Sequence, residues 1–155
     1  MSHPVILERN VHLPSADRLV VLLPEYPVDL STLGRLIRNL AYLCVPKVLL
    51  LSVVKEPFAG VHMANVLGYL YAMTHDPFLH VETSIQPDTT WMKAIHKVWQ
   101  PGDVFLCLSD HKVPRYIFGR KPIADLISDQ LDVPVFVVRV QNGLYTKSQD
   151  RLKYE

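Results

Sequence analysis

The chain has few of the residues that would define a cross-linked, metal-binding or membrane-spanning protein. Only two of its 155 residues are cysteine. Both Cys44 and Cys107 lie in apolar stretches, so we expect buried free thiols in a reducing compartment rather than a disulfide. The seven histidines show no HxxxH or similar ligand spacing, which argues against a metal site. No apolar run approaches the roughly 20 residues that span a bilayer.

An excess of charge of one sign is also lacking. Sixteen basic and 15 acidic residues give a formal net charge of +1, which gives no support to a nucleic-acid-coating protein. No N-terminal segment has the basic start and apolar stretch of a signal peptide, so we predict a cytoplasmic protein without direct membrane insertion. With 49% hydrophobic residues over this length, the composition is typical of one folded domain.

What the sequence does contain is a regular alternation of apolar runs and helical patterns. Strands are predicted at 18–23, 47–54, 80–85, 103–108 and 133–140, and helices at 31–44, 61–74, 89–100 and 123–131. Ser31 is the expected N-cap of the first helix. Because parallel strands need helical crossovers, this alternation predicts an α/β fold. We expect a doubly wound, Rossmann-like three-layer α/β/α sandwich with a five-stranded parallel sheet of order 3-2-1-4-5.

Polar segments flank the predicted domain on both sides. Residues 1–17 form an N-terminal arm, interrupted by Pro4 and Pro14, that either leads into the domain or pairs along a sheet edge or a partner. Residues 18–140 form the α/β domain, and residues 141–155 form a polar C-terminal tail.

The loop after the fourth strand, residues 109–121, is where we expect function. In open α/β sheets, ligands bind beyond the carboxyl ends of strands, near helix N-termini that present free N–H groups. The loop holds one acid, Asp110, and the basic or titratable residues His111, Lys112, Arg115, Arg120 and Lys121. Two interpretations stay open, namely a site for an anion such as a phosphate and a solvated surface loop.

The final strand, loop, helix and strand resemble the last unit of the universal stress protein family. That unit reads as A-D-L-I-V-M-G-S-H-G, a loop, G-S, a helix and C-P-V-L-V-V. The matching parts here are residues 103–110, Gly119, the helix at Ile123 and residues 133–138. Residues 81–103 also resemble the family's third strand, third helix and turn, so the resemblance covers roughly residues 18–140.

The resemblance implies a Rossmann-like domain that is commonly a homodimer joined through its last strand. Many members bind ATP or AMP through the motif G-2x-G-9x-G-(S/T), because glycines let the backbone approach phosphate closely. This chain departs from the motif. Leu108 and His111 stand at the first two glycine positions, and only Gly119 remains. Arg120 replaces the Ser/Thr, and the loop is about two residues shorter.

The family's acidic residue after the first strand, which holds ribose or base, has no clear match. Tyr26 lies nearest by register, and Glu25 and Asp29 are the acids close by. The positions that the resemblance assigns to cofactor binding are Pro24, Tyr26, Val53, Ser109, His111, Arg115, Gly119, Arg120 and Lys121.

Two outcomes follow from the altered motif. Arg115, Arg120 and Lys121 bind phosphate by side-chain charge in place of backbone donors. Alternatively, Leu108, Tyr26 and Tyr116 fill the pocket, no ATP or AMP binds in the usual way, and the domain acts through protein contacts.

The favoured hypothesis is a non-catalytic stress or signalling module that binds an unknown protein partner. It predicts a homodimer through an exposed edge strand that begins at Val133 and ends at Arg139. The competing hypothesis is a monomer whose N-terminal arm covers that edge. One alternative is a sensor of an adenine nucleotide or another phosphate ligand, and a second is the soluble regulatory domain of a membrane transporter. Catalysis is not expected, because the adjacent residues 109–111 (Ser-Asp-His) are too close in sequence to meet as a triad does.

Overall fold

The computed structural model describes residues 5–9, 17–25, 29–44, 47–55, 57–75, 77–115 and 119–139; the side chains of residues 5–9, 42–44, 57–59 and 115 are outside this description. The strands are β1 (Val5–Arg9), β2 (Arg18–Leu22), β3 (Lys47–Val54), β4 (His80–Pro87), β5 (Asp103–Leu108), β6 (Lys112–Arg115), β7 (Gly119–Pro122) and β8 (Val135–Arg139). The helices are α1 (Leu30–Cys44), α2 (Pro57–Thr74), α3 (Trp91–Val98) and α4 (Ile123–Gln130).

The main sheet has six strands in the order β1-β8-β5-β2-β3-β4. The strands from β8 to β4 are parallel. Numbered in chain order, these five strands have the order 3-2-1-4-5, so the predicted fold class is confirmed. The predicted edge position of β4 is confirmed as well, since among the described strands it pairs with β3 alone.

Helices cover both faces of the sheet, and the core accordingly has two halves. One half packs α1 and α2 against alternate residues of the strands, with Ile37 and Leu70 fully buried. The other half lies under α3 and α4, where Ile95 and Ile127 are fully buried. Every residue of β5 is buried, as expected of a central strand covered on both sides. Its Cys107 is buried, as predicted.

The outer edge of β8 is paired within the chain. β1 runs antiparallel to β8, with Val5 opposite Arg139 and Arg9 opposite Val135. The expectation of an exposed edge there was therefore wrong, because backbone groups that would join a second copy are paired with the N-terminal arm. Joining two copies through β8 would first require β1 to be displaced.

Three helices begin at residues other than those predicted, and α3 does so by two residues, at Trp91 rather than Thr89. α1 is capped by Asp29 rather than Ser31: the Asp29 carboxylate accepts hydrogen bonds from the Thr32 amide (3.3 Å) and hydroxyl (2.8 Å). α2 begins at Pro57 rather than Val61. Proline is well suited to a first helical turn, where its missing N–H has no intrahelical role.

An ion pair joins β2 and β5 at the amino end of the sheet. Arg18 lies opposite Asp103 in the β2–β5 ladder. Its Nε and Nη2 donate to the two carboxylate oxygens at 2.9 and 2.8 Å, and Nη2 also donates to the Val98 carbonyl at 2.8 Å. The Asp103 side chain is only 1% exposed. The pair thus fixes the register of the two strands that flank the topological switch point.

None of the described helices is both long and apolar enough to span a membrane.

Candidate functional site

The fold places the ligand-binding crevice of a doubly wound sheet beyond the carboxyl ends of β2 and β5. The chain crosses from β2 through α1 to β3 on one side, while β5 lies on the other side of β2. This reversal is the topological switch point, where ligands of open α/β sheets bind. Residues 23–25 follow β2 and residues 109–111 follow β5, so both segments border the crevice.

The two acidic residues in the loop after β2 already have partners. The Glu25 carboxylate accepts a hydrogen bond from the Lys55 amide at 3.3 Å, which links the ends of β2 and β3. Asp29 caps α1 and places its negative charge at the amide groups that would otherwise attract an anion. Pro24 is buried at the end of β2. Tyr26 lies outside the described residues.

The polar groups at the end of β3 are hydrogen-bonded to backbone atoms of neighbouring segments. Val53 is 4% exposed and belongs to the core. The buried Ser52 hydroxyl donates to the Leu23 carbonyl at 2.9 Å, and the Asp88 amide donates to the Val54 carbonyl at 3.0 Å. Val53 therefore lies at the predicted place in the fold but offers only an apolar surface.

The basic loop is not an open loop but contains a β-hairpin. β6 and β7 pair antiparallel, with Lys112 opposite Pro122 and Arg115 opposite Gly119. Gly119 has φ of +79°, and a Cβ added there would meet nothing within 4 Å. This glycine therefore serves the backbone turn at the start of β7 rather than a close approach of neighbouring atoms.

Ser109 and His111 connect β5 to the hairpin. The Ser109 amide donates to the Val138 carbonyl at 2.8 Å, and the Ser109 side chain is half-buried. The His111 carbonyl accepts from the Ile123 amide at 2.8 Å. The first amide of α4 is thus already bonded to the loop, although Pro122 at the N-cap makes no side-chain cap.

The His111 side chain is the main feature of this edge that the sequence did not predict. It is 3% exposed, and its ring lies edge-on to Trp91 with ring centroids 4.7 Å apart. Its Nδ1 is buried and has no hydrogen-bond partner among the described residues. No feature of the local sequence signals this burial, because the ring is covered by α3, which precedes β5 in the chain.

Burial, and to a lesser extent the nearby positive charge of Arg120, lower the pKa of His111 from 6.5 to about 4. The imidazole is therefore neutral at neutral pH. A neutral, buried ring supplies no positive charge for a phosphate, and His111 packs edge-on against Trp91 instead.

Two cationic side chains of the hairpin, those of Arg120 and Lys121, have partners in the chain. Arg120 is exposed and donates from Nη2 to the Lys112 carbonyl at 2.8 Å. Lys121 pairs with Asp129 of α4 at 2.5 Å. The Arg115 side chain and Tyr116 lie outside the described residues. The structure thus brings Arg120 and Lys121 to one hairpin next to α4, as the loop prediction required, but both engage protein groups.

The site can do little acid–base or metal chemistry with the residues described. Within the described ranges, no group of three or more His, Cys, Asp or Glu residues is arranged to hold a metal ion. Neither Ser109 nor Asp110 hydrogen-bonds to Nδ1 of His111. Compared with models of known protein families and with curated proteins, the chain matches none of them.

Proposed function

We propose that this domain is a non-catalytic signalling module, similar to universal stress proteins, that does not hold a nucleotide in the family's phosphate cradle. The observation that carries the proposal is the filling of the cradle positions by the buried side chains of Leu108 and His111. A phosphate cradle needs backbone N–H groups that face open space. Here the Asp29 cap and the bond from Ile123 to His111 already engage backbone donors of α1 and α4.

In this proposal the domain acts in the cytoplasm by binding a protein partner. The α/β sandwich supplies the rigid scaffold, and its surfaces carry recognition. The alternative role is that of a regulatory domain attached to a membrane transporter. That role would also use the surface of the domain rather than a nucleotide.

Thermal unfolding with nucleotides tests the proposal. We expect no change in melting temperature when millimolar ATP, ADP or AMP with magnesium is added. A ligand at a hundred times its Kd would stabilise the domain by about 2.7 kcal/mol. For a domain of this size, that corresponds to a rise of roughly 5–10 °C. A rise of that size with any of the three nucleotides would contradict the proposal.

A second candidate function, a sensor of phosphate-containing ligands, is supported by the charge of the hairpin. Four basic residues, Lys112, Arg115, Arg120 and Lys121, lie in β6 and β7, and neither strand contains an acid. Arg120 is exposed and bonded only to a carbonyl among the described contacts. An anion that offers two oxygens to its guanidinium would form a stronger, charge-assisted pair.

Charge removal on the hairpin tests this second candidate. If a polyphosphate or nucleotide binds there, the double variant Arg115→Gln/Arg120→Gln will weaken binding at least tenfold, because two guanidinium contacts are lost. Lys93→Gln/Lys97→Gln removes the same charge from two exposed positions of α3, which is not part of the hairpin, and will leave binding unchanged. Equal losses in both double variants would indicate nonspecific charge attraction and rule out a hairpin site.

A further inference from the structure

The large apolar side chains that are exposed in the described part of the chain all lie in one segment, α2 and the turn after it. They are Val61, Tyr69, Tyr71 and Phe78, which are 66, 43, 37 and 79% exposed. Single exposed apolar residues are common on protein surfaces, but a cluster marks an interaction surface.

The helix α2 itself carries no formal charge. Residues 57–75 contain no Asp, Glu, Lys or Arg. A surface helix ordinarily places charged residues on its outer face, as α1 does with Arg35 and α3 does with Lys93 and Lys97, all exposed. The outer face of α2 is thus apolar or uncharged along its length, which is unusual for a helix that only meets water.

The outer face of α2 has a line of small residues between larger ones, which we call the α2 groove. Its floor is made of the exposed small residues Ala64, Gly68 and Ala72, which are four residues apart and therefore follow one line along the helix. A Cβ added at Gly68 would meet nothing within 4 Å. By the helical repeat, Tyr69 lies on one side of this line. Tyr71 lies on the other side, with its ring stacked on His75 at a centroid distance of 4.8 Å.

We propose that this groove, the α2 groove, binds the α2 groove of a second copy of the chain across a two-fold axis near Gly68. In a two-fold interface each residue lies opposite itself or its near neighbours, so a charged residue close to the axis would meet its own charge. The α2 groove has no such residue. Small side chains at four-residue spacing allow two helix backbones to cross at short distance, and the flanking tyrosines then pack on the opposing helix.

The area of the surface also fits a second copy. The four exposed apolar side chains present roughly 400 Å² per chain if a whole aromatic side chain has about 200 Å². A standard interface buries about 800 Å² per partner. The small residues of the groove and two further exposed residues, Asn65 of α2 and His75 directly after it, extend the surface toward that value.

This inference is independent of the proposed absence of a nucleotide. The α2 groove lies on the outer surface of the helix layer, whereas the candidate nucleotide site lies at the carboxyl ends of β2 and β5. The interface also differs from the one expected through β8, whose outer edge is paired with β1.

Sedimentation analysis from low micromolar to near-millimolar concentration tests the proposal. We expect the wild-type chain to reach the mass of a dimer and Gly68→Lys to stay a monomer. The variant places a lysine beside its own copy, yet its Cβ has open space within its own chain and it replaces glycine with a better helix former. Asn39→Lys adds the same charge at an exposed position of α1 and will remain a dimer.

Disulfide capture adds a test of the axis itself. With Cys44 replaced by serine throughout, Gly68→Cys should link two copies under mild oxidation, while the chain with Gly68 and the Asn39→Cys variant should not, since Cys107 is buried. A wild-type monomer over the whole concentration range would overturn the proposal. So would a Gly68→Lys dimer, a dimer that Gly68→Cys fails to link, or a monomer whose α2 instead binds phosphatidylcholine vesicles.

Discussion

Replacing Arg18 with methionine will lower the free energy of unfolding by roughly 3–5 kcal/mol, because it leaves a buried carboxylate without its cation. Asp103 is almost wholly buried and receives two hydrogen bonds from Arg18. After the substitution, the remaining donor to this carboxylate among the described contacts is the Gln100 amide at 3.0 Å. Urea unfolding monitored by circular dichroism measures the change.

Matched variants separate this loss from a general effect of removing a charge. Lys121→Gln breaks the exposed pair with Asp129, whose side chain is 60% exposed, and will cost less than about 1 kcal/mol. The double variant Arg18→Met/Asp103→Leu removes both buried charges and will recover most of the stability lost by Arg18→Met. If Arg18→Met and Lys121→Gln have the same small cost, the buried pair does not hold β2 and β5 together.

The second large effect is acid destabilisation through His111. The pKa of this histidine is lowered from 6.5 to about 4 in the folded chain, first by burial and then by Arg120. Between these two pH values, the unfolded chain binds a proton at His111 that the folded chain does not bind. The contribution of His111 to the free energy of unfolding is therefore fully present above pH 6.5. It is lost as the pH drops toward 4, and the loss amounts to roughly 3 kcal/mol.

Urea unfolding at pH values from 4 to 7 measures this dependence. His111→Phe keeps a ring next to Trp91 but cannot titrate, so its stability will fall much less between pH 6.5 and 4 than that of the wild type. The carboxylates titrate in both proteins, and the difference between the two curves isolates His111. His96→Gln replaces an exposed histidine on α3 and will keep the wild-type slope; the same slope in His111→Phe would contradict the burial of a neutral imidazole.

Sequence patterns predicted the basic residues of the candidate site but neither its hairpin nor its buried histidine. The length and composition of the loop after β5 predicted basic residues at the carboxyl edge of the sheet. The structure places Arg120 and Lys121 there. The pairing of β6 with β7 was missed, because Pro114 and the charged residues of this segment lack the apolar alternation that marks a strand. The burial of His111 was missed as well, because its cover comes from Trp91, which is 20 residues earlier in the chain.

The sequence by itself determined the parallel sheet, its strand order and the boundaries of its central strands. These follow from local patterns, since apolar runs of strand length and helical spacing are visible within a single segment, and right-handed crossovers then leave few topologies. Tertiary structure alone decided which polar groups find partners. The pairing of β1 with β8, the bond between Arg18 and Asp103, and the neutral state of His111 each depend on residues distant in sequence, and only the folded chain brings those residues together.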